Sequence, residues 1–174
     1  MRYFGVKKWT KQTDIFEKDL LLFPINKNAH WYLIAVVSPQ LMHLEDEERK
    51  PLIVVLDSLE TYNSDIESAV MKIKSYLIDE FLGKKGVLIS NEVDLDFLLP
   101  SCPQQPDGSS CGVFLLYFAS KLLSSKLDHY LLKENYDLSD WKKLDDILDG
   151  RRKLSEVILE LSIEQGHRRK LDIP

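Results

Sequence analysis

Seven consecutive residues, Trp31 to Val37, are aromatic, β-branched or aliphatic with no polar interruption, so the fold must place this segment inside. The run is far short of the roughly 20 residues of a membrane span, as is Val113 to Ala119, and its composition favours a strand. Leu20 to Ile25 is a second such segment, and the polar turn Asn26, Lys27, Asn28 between them predicts a hairpin of two largely buried strands. Pro51 opens a third strand, Leu52 to Leu56, which ends at Asp57 and Ser58. From Ser64 the period changes to about 3.6, with Ile66, Val70, Ile73, Leu77 and Phe81 on one stripe. This predicts an amphipathic helix capped by Ser64 and closed by Gly83. Val87 to Ser90 reads as a fourth strand. Gly112 to Ser120 is apolar nearly all round, which predicts a helix buried on all sides. Further helical patterns occupy Trp141 to Leu148 and Leu154, Val157, Ile158 and Leu161, with Gly150 between them. Strands first, then helices around a buried one, predict a single α+β domain over residues 1–174, ending in a flexible tail over 165–174 that includes His167 to Lys170.

Composition narrows the function. With 23 basic and 28 acidic side chains the formal charge is −5, which argues against a general nucleic-acid binder. The acidic stretch Glu45 to Lys50 reads as a solvated loop. Met1 to Lys8 lack the apolar core of a signal peptide, and no segment suits a membrane. Cys102 and Cys111 are too few for a disulfide framework and are read as free thiols. No metal or other cofactor is expected, because two cysteines and four histidines show no zinc-type spacing.

Cys111 follows a Pro, Asp, Gly, Ser turn and opens an apolar helix. Its sulfur therefore belongs near unpaired backbone N–H groups and the positive end of the helix dipole, a position that favours the thiolate. A thiolate nucleophile needs a base, and the chain offers His30, His43, His129 and His167. His43 borders the acidic loop, His129 lies in a polar stretch and His167 in the tail, whereas His30 stands at the mouth of the most apolar strand. Asp57, where another apolar strand ends, is placed to orient an imidazole. Gln105, in the loop before Cys111, carries an amide that can donate to an oxyanion. Each of these residues has an ordinary structural alternative, as a buried thiol, an edge histidine, a turn aspartate or a loop glutamine, and the pattern gains its meaning from the set.

His30 with Trp31, the strand end Leu56, Asp57, Ser58, and the block Pro103-Gln104-Gln105-Pro106-Asp107-Gly108-Ser109-Ser110-Cys111-Gly112-Val113 resemble the active-site segments of the Ulp/SENP family of SUMO-specific cysteine proteases. Val6 to Lys11 followed by Asp14, Ile15 and Phe16 is similar to that family's segment before its first catalytic strand. The resemblance runs from about residue 5 to about residue 163. It implies a papain-like α+β fold and assigns His30 as general base, Asp57 as its orienter, Gln105 as oxyanion donor and Cys111 as nucleophile. It also implies that Trp31 roofs the channel for the modifier's C-terminal Gly-Gly.

Three departures accompany the resemblance. Ser110 stands where the family usually has Asp. His30 and Asp57 are 27 positions apart, a wide interval that resembles the insertion site of the branch trimming SUMO chains. The family's N-terminal helical part, with its Trp-Leu-Asn-Asp motif, does not precede Met1, which on this resemblance means a fragment or a differently built channel. The implied activity is hydrolysis of SUMO–lysine isopeptide bonds or maturation of the SUMO precursor, in the nucleus, with SUMO, its conjugates or poly-SUMO chains as partner. The alternatives are a protease for another ubiquitin-like modifier and a catalytically weak SUMO-binding domain.

Overall fold

The computed structural model of the chain describes residues 3–43, 50–59, 64–88, 95, 97–124, 137–141 and 144–171. After a single helical turn, α1 (Tyr3–Val6), the expected hairpin forms from β1 (Leu20–Lys27) and β2 (His30–Val37). The turn proper is Asn28 and Ala29, both with positive φ (52° and 61°), as a two-residue turn matching the strand twist requires. β1 thus runs two residues further than expected and β2 begins one residue earlier, so that His30 becomes the first residue of β2, paired with Lys27.

β3 (Leu52–Leu56) lies antiparallel to β2, with Leu33 opposite Leu56. The fourth strand differs from expectation. Val87 and Leu88 follow Gly86, whose φ of 69° ends the preceding helix, and both are solvent-exposed and outside any strand, while residues 89–90 lie outside the described residues. β4 is instead Phe97–Leu98, parallel to β3, giving a mixed sheet in the order β1-β2-β3-β4. β1 is an edge strand, which accommodates Pro24 and explains why β1 is half-buried although its composition predicted fuller burial.

β2 from Trp31 onward and β3 are apolar because both faces of the sheet are covered. Ile34, Val36, Ile53 and Val55 face α2 (Ser64–Lys85) and join the expected stripe Ile66, Val70, Ile73, Leu77 and Phe81. Leu33, Ala35, Val37, Leu52, Val54 and Leu56 face α3 (Cys111–Ser124), where they meet Phe114, Leu115, Phe118 and Leu122. Burying a Phe or Leu side chain contributes about 1.5–3 kcal/mol, so these two stripes fix α2 and α3 on opposite faces of one sheet.

α3 is not buried all round: Leu116 is 49% exposed, because only the stripe toward the sheet, Leu138 and Ile147 is covered. The last two helical patterns fuse into one helix, α4 (Leu144–Leu171), which passes through Gly150 without a break; Trp141 belongs to a preceding 3₁₀ turn, Ser139–Trp141. Gly150 packs against Val113 of α3, where a Cβ would lie 3.7 Å from its side chain, and one interior glycine costs a helix only about 1 kcal/mol. The backbone remains helical from Gln165 to Leu171, where a tail was expected. Glu45 to Arg49 of the acidic stretch, and His129, fall outside the described residues. Among the described residues no helix is long and apolar enough to cross a membrane.

Candidate active site

His30 opens β2 and Asp57 immediately follows β3, and these neighbouring strand ends bring them together. His30 Nε2 lies 2.7 Å from Asp57 Oδ1, with the imidazole partly exposed and the carboxylate buried. An ionised carboxylate only accepts, so in this contact Nε2 is the donor, and in a neutral imidazole so held the lone pair lies on Nδ1. Tyr32, two residues along β2, stacks under the imidazole at 6.1 Å. Burial, followed by the charges of Asp65 and Asp57, pushes the Tyr32 phenol above its ordinary pKa. A surface cavity opens beside the pair, lined among others by Lys27, Asn28 and Leu59.

Asp57 is held through its backbone as well. The Cys102 thiol donates to its carbonyl at 3.2 Å and Gln104 Nε2 does so at 3.1 Å, while the carboxylate Oδ1 also accepts the Leu59 amide at 2.9 Å. Gln104 donates in addition to the Cys102 carbonyl at 2.9 Å. The loop before α3 is therefore fastened onto the end of β3. Neither Cys102 nor Gln104 was assigned such a role from sequence, since the bonds join residues 45 or more positions apart.

Gln105 is buried in the same loop. Its amide N–H donates to the Ser58 carbonyl at 2.9 Å, its Oε1 accepts the Ser58 hydroxyl at 2.7 Å, and its Nε2 donates to the Asp107 carbonyl. Asp107 gathers the two serines that follow Gly108: its carboxylate accepts the Ser109 amide at 2.7 Å, the Ser110 amide at 2.8 Å and the Ser110 hydroxyl at 2.7 Å. These donors, the Ser110 hydroxyl foremost, hold the Asp107 carboxyl down at about 2. The Asp-Gly turn at 107–108 was the sequence signal for this arrangement, because aspartate before glycine commonly accepts from amides two residues on.

Ser110 supplies the carbonyl accepting the first amides of α3, from Val113 at 2.9 Å and Phe114 at 3.1 Å. Cys111 is thus the first residue of the helix and buried, and its own amide and that of Gly112 precede the first hydrogen bond of the helix. Both cysteines are free thiols. Trp31, on the opposite side of β2 from His30 by strand alternation, is partly exposed, and its ring edge lies 3.9 Å from where a Cβ on Gly112 would be. The start of β2 therefore adjoins the start of α3. Among the described residues neither the Cys111 thiol nor Nδ1 of His30 has a hydrogen-bond partner. Of the five sequence-selected residues, His30 and Asp57 are bonded directly, Gln105 is tied to Asp57 through its neighbour Ser58, and Trp31 borders the turn carrying Cys111.

A thiol at a helix start, an imidazole–carboxylate pair at adjacent strand ends and a buried side-chain amide in the intervening loop are the functional groups of a cysteine-type hydrolase on an α+β scaffold. The chain belongs to the Ulp1 protease family, whose C-terminal catalytic domain matches residues 2–150. It is 28% identical over 176 residues to the probable ubiquitin-like-specific protease 2A of Arabidopsis thaliana, covering 95% of this chain and 22% of that protein. To the human Sentrin-specific protease 3 it is 34% identical over 124 residues, covering 71% of this chain and 19% of that one. The chain thus spans about a fifth of the length of these curated relatives. The crystal structure of a de-sumoylating protease superposes with a TM-score of 0.71 at 22% identity, over 97% of this chain and 67% of that one, and confirms the α+β fold.

Proposed function

We propose that residues 1–174 act as one catalytic unit that hydrolyses the bond after the C-terminal Gly-Gly of SUMO, releasing it from lysine side chains or maturing its precursor. The observation that carries the reading is the 2.7 Å bond between His30 and Asp57 at the strand ends adjoining the Cys111 turn. With Nε2–H committed to Asp57, Nδ1 is the nitrogen available to take the Cys111 proton. The thiolate adds to the glycine carbonyl to give a tetrahedral oxyanion, which collapses to a thioester. The C–N bond breaks as the imidazolium returns the proton to the leaving lysine amine. Water activated by the same imidazole then hydrolyses the thioester. Asp57 stabilises the imidazolium, and Gln105 Nε2, which retains a second hydrogen without a partner among the described residues, faces the developing oxyanion with the first-turn amides of α3. Trp31 covers the Gly-Gly beside Gly112.

SUMO is the modifier favoured by the names of the relatives, one Sentrin-specific and one a de-sumoylating protease, and a nuclear setting follows from the family resemblance. The broader name of the Arabidopsis relative keeps another ubiquitin-like modifier as the second reading. The test is a panel of modifiers, each bearing a thiol-reactive electrophile at its C-terminus. A covalent adduct at Cys111 with the SUMO probe is expected. An adduct only with a different modifier would transfer the activity to that substrate, and binding without any adduct would leave a SUMO-binding domain.

A further inference from the structure

We propose that Arg151 is a positioning residue for Cys111, acting from α4 on the two residues that precede the thiol. This inference rests on the catalytic reading above. Arg151 Nη2 donates to the Ser109 carbonyl at 3.0 Å and contacts the Ser110 hydroxyl at 3.4 Å. Its neighbours on the helix behave differently: Arg152 pairs with Asp149 and Glu156, and Lys153 with Asp149, all along the exposed side of α4. Arg151 makes no ion pair among the described residues and directs its guanidinium to the loop.

The geometry gives this contact leverage. Gly150 seats α4 against Val113 in the first turn of α3, so the Arg151 backbone is anchored one residue from a packed contact. On the loop, Asp107 accepts from the amides of Ser109 and Ser110, which fastens the donor side of that segment. Arg151 fastens the acceptor side through the Ser109 carbonyl and the Ser110 hydroxyl, and that hydroxyl in turn donates to Asp107. Ser109 and Ser110 are thereby clamped between a carboxylate and a guanidinium, and Cys111 is the next residue. The chain of bonds continues from Asp107 to Gln105 and from Gln105 to Ser58, beside Asp57. A guanidinium suits the task because the two N–H donors of its planar Nη2 point in fixed directions, one for each acceptor, whereas a lysine ammonium on a flexible stem does not hold that geometry.

The experiment measures kcat and KM for SUMO cleavage with the parent, Arg151→Ala, Arg151→Lys and Arg152→Ala, and amide hydrogen exchange at Ser109 and Ser110 in the same proteins without substrate. Arg151→Ala should lower kcat about 10- to 100-fold, the range expected when a reacting group is displaced by about 1 Å, with KM within about twofold. Arg151→Lys should recover part of the loss, and Arg152→Ala should match the parent. Exchange at Ser109 and Ser110 should accelerate in Arg151→Ala alone. In an Asp107→Ala background, where the clamp is already open, Arg151→Ala should cost much less than in the parent, since residues acting through one element are non-additive. Equal kcat values for Arg151→Ala and Arg152→Ala with unchanged exchange would overturn the proposal. A parent inert toward SUMO would count against the catalytic reading, and the exchange measurement would still decide whether Arg151 orders the loop.

Discussion

The Ser58 hydroxyl donates to Oε1 of Gln105 at 2.7 Å, while Gln105 Nε2 donates to the carbonyl of Asp107, and together these bonds fix which end of the amide can serve as a donor. A main-chain carbonyl only accepts, so Nε2 must lie on that side. Gln105→Ala should therefore lower kcat about 10²- to 10³-fold, the usual cost of one oxyanion donor, with little change in KM. Ser58→Ala, which frees the amide to turn, should lower kcat in the same direction and by less. Gln104 is not an idle neighbour, because its amide supports the Asp57 carbonyl. Gln104→Ala should fall between the parent and Gln105→Ala, and steady-state kinetics on the three variants would settle the order. Equal and small effects at Gln105 and Gln104 would leave the first-turn amides of α3 as the oxyanion donors.

Cys111→Ser should abolish hydrolysis while leaving SUMO affinity nearly unchanged, measured by turnover and by calorimetric titration. Cys102 provides a graded control. Its thiol donates to the Asp57 carbonyl, a bond that a serine hydroxyl can reproduce, so Cys102→Ser should stay within a few-fold of the parent. Cys102→Ala, which cannot donate, should be the slower of the two. Unchanged hydrolysis in Cys111→Ser would end the protease reading.

His30 and Asp57 should behave as one unit. Each single alanine variant should remove most of the activity, and the double variant should be scarcely worse than His30→Ala, as found for groups sharing one step. A double-mutant cycle on kcat/KM checks this, and losses that multiply independently would reject Asp57 as the orienter.

Asp107 carries the pH dependence of the loop. Its folded pKa is depressed to about 2, chiefly by the Ser110 hydroxyl and the Ser109 amide. A depressed carboxylate contributes stability that is fully present above its unfolded pKa, near 3.9, and is lost as pH falls through the folded value. Asp107→Asn should therefore lower Tm at neutral pH, and the gap from the parent should narrow as both are melted at pH values from about 5 down to about 2.5. A gap that is constant over that window would show that the loop does not depend on the charge.

Much of this was legible in the sequence because it depends on local pattern. The apolar run of β2, the stripe of α2, the hairpin signal and the turn before Cys111 each express a backbone period or a turn preference acting over a few residues, and these indicated three of the four strands, two helices and the residues of the candidate site. What tertiary structure alone decided are pairings between distant segments. The sequence could not choose Phe97–Leu98 over Val87 to Ser90 as the partner of β3, since both are short apolar runs and the choice depends on where the chain returns after Gly86. Nor did it separate the edge strand β1 from the central β2, because apolar composition reports burial only once the number of covered faces is known. The supports of Asp57, Gln105 and the Cys111 turn, namely Cys102, Gln104, Ser58 and Arg151, are ordinary residues by type. Their roles arise from single hydrogen bonds across some 40 or more positions, and a bond of that kind is set by three-dimensional packing, of which residue type and local period carry no trace.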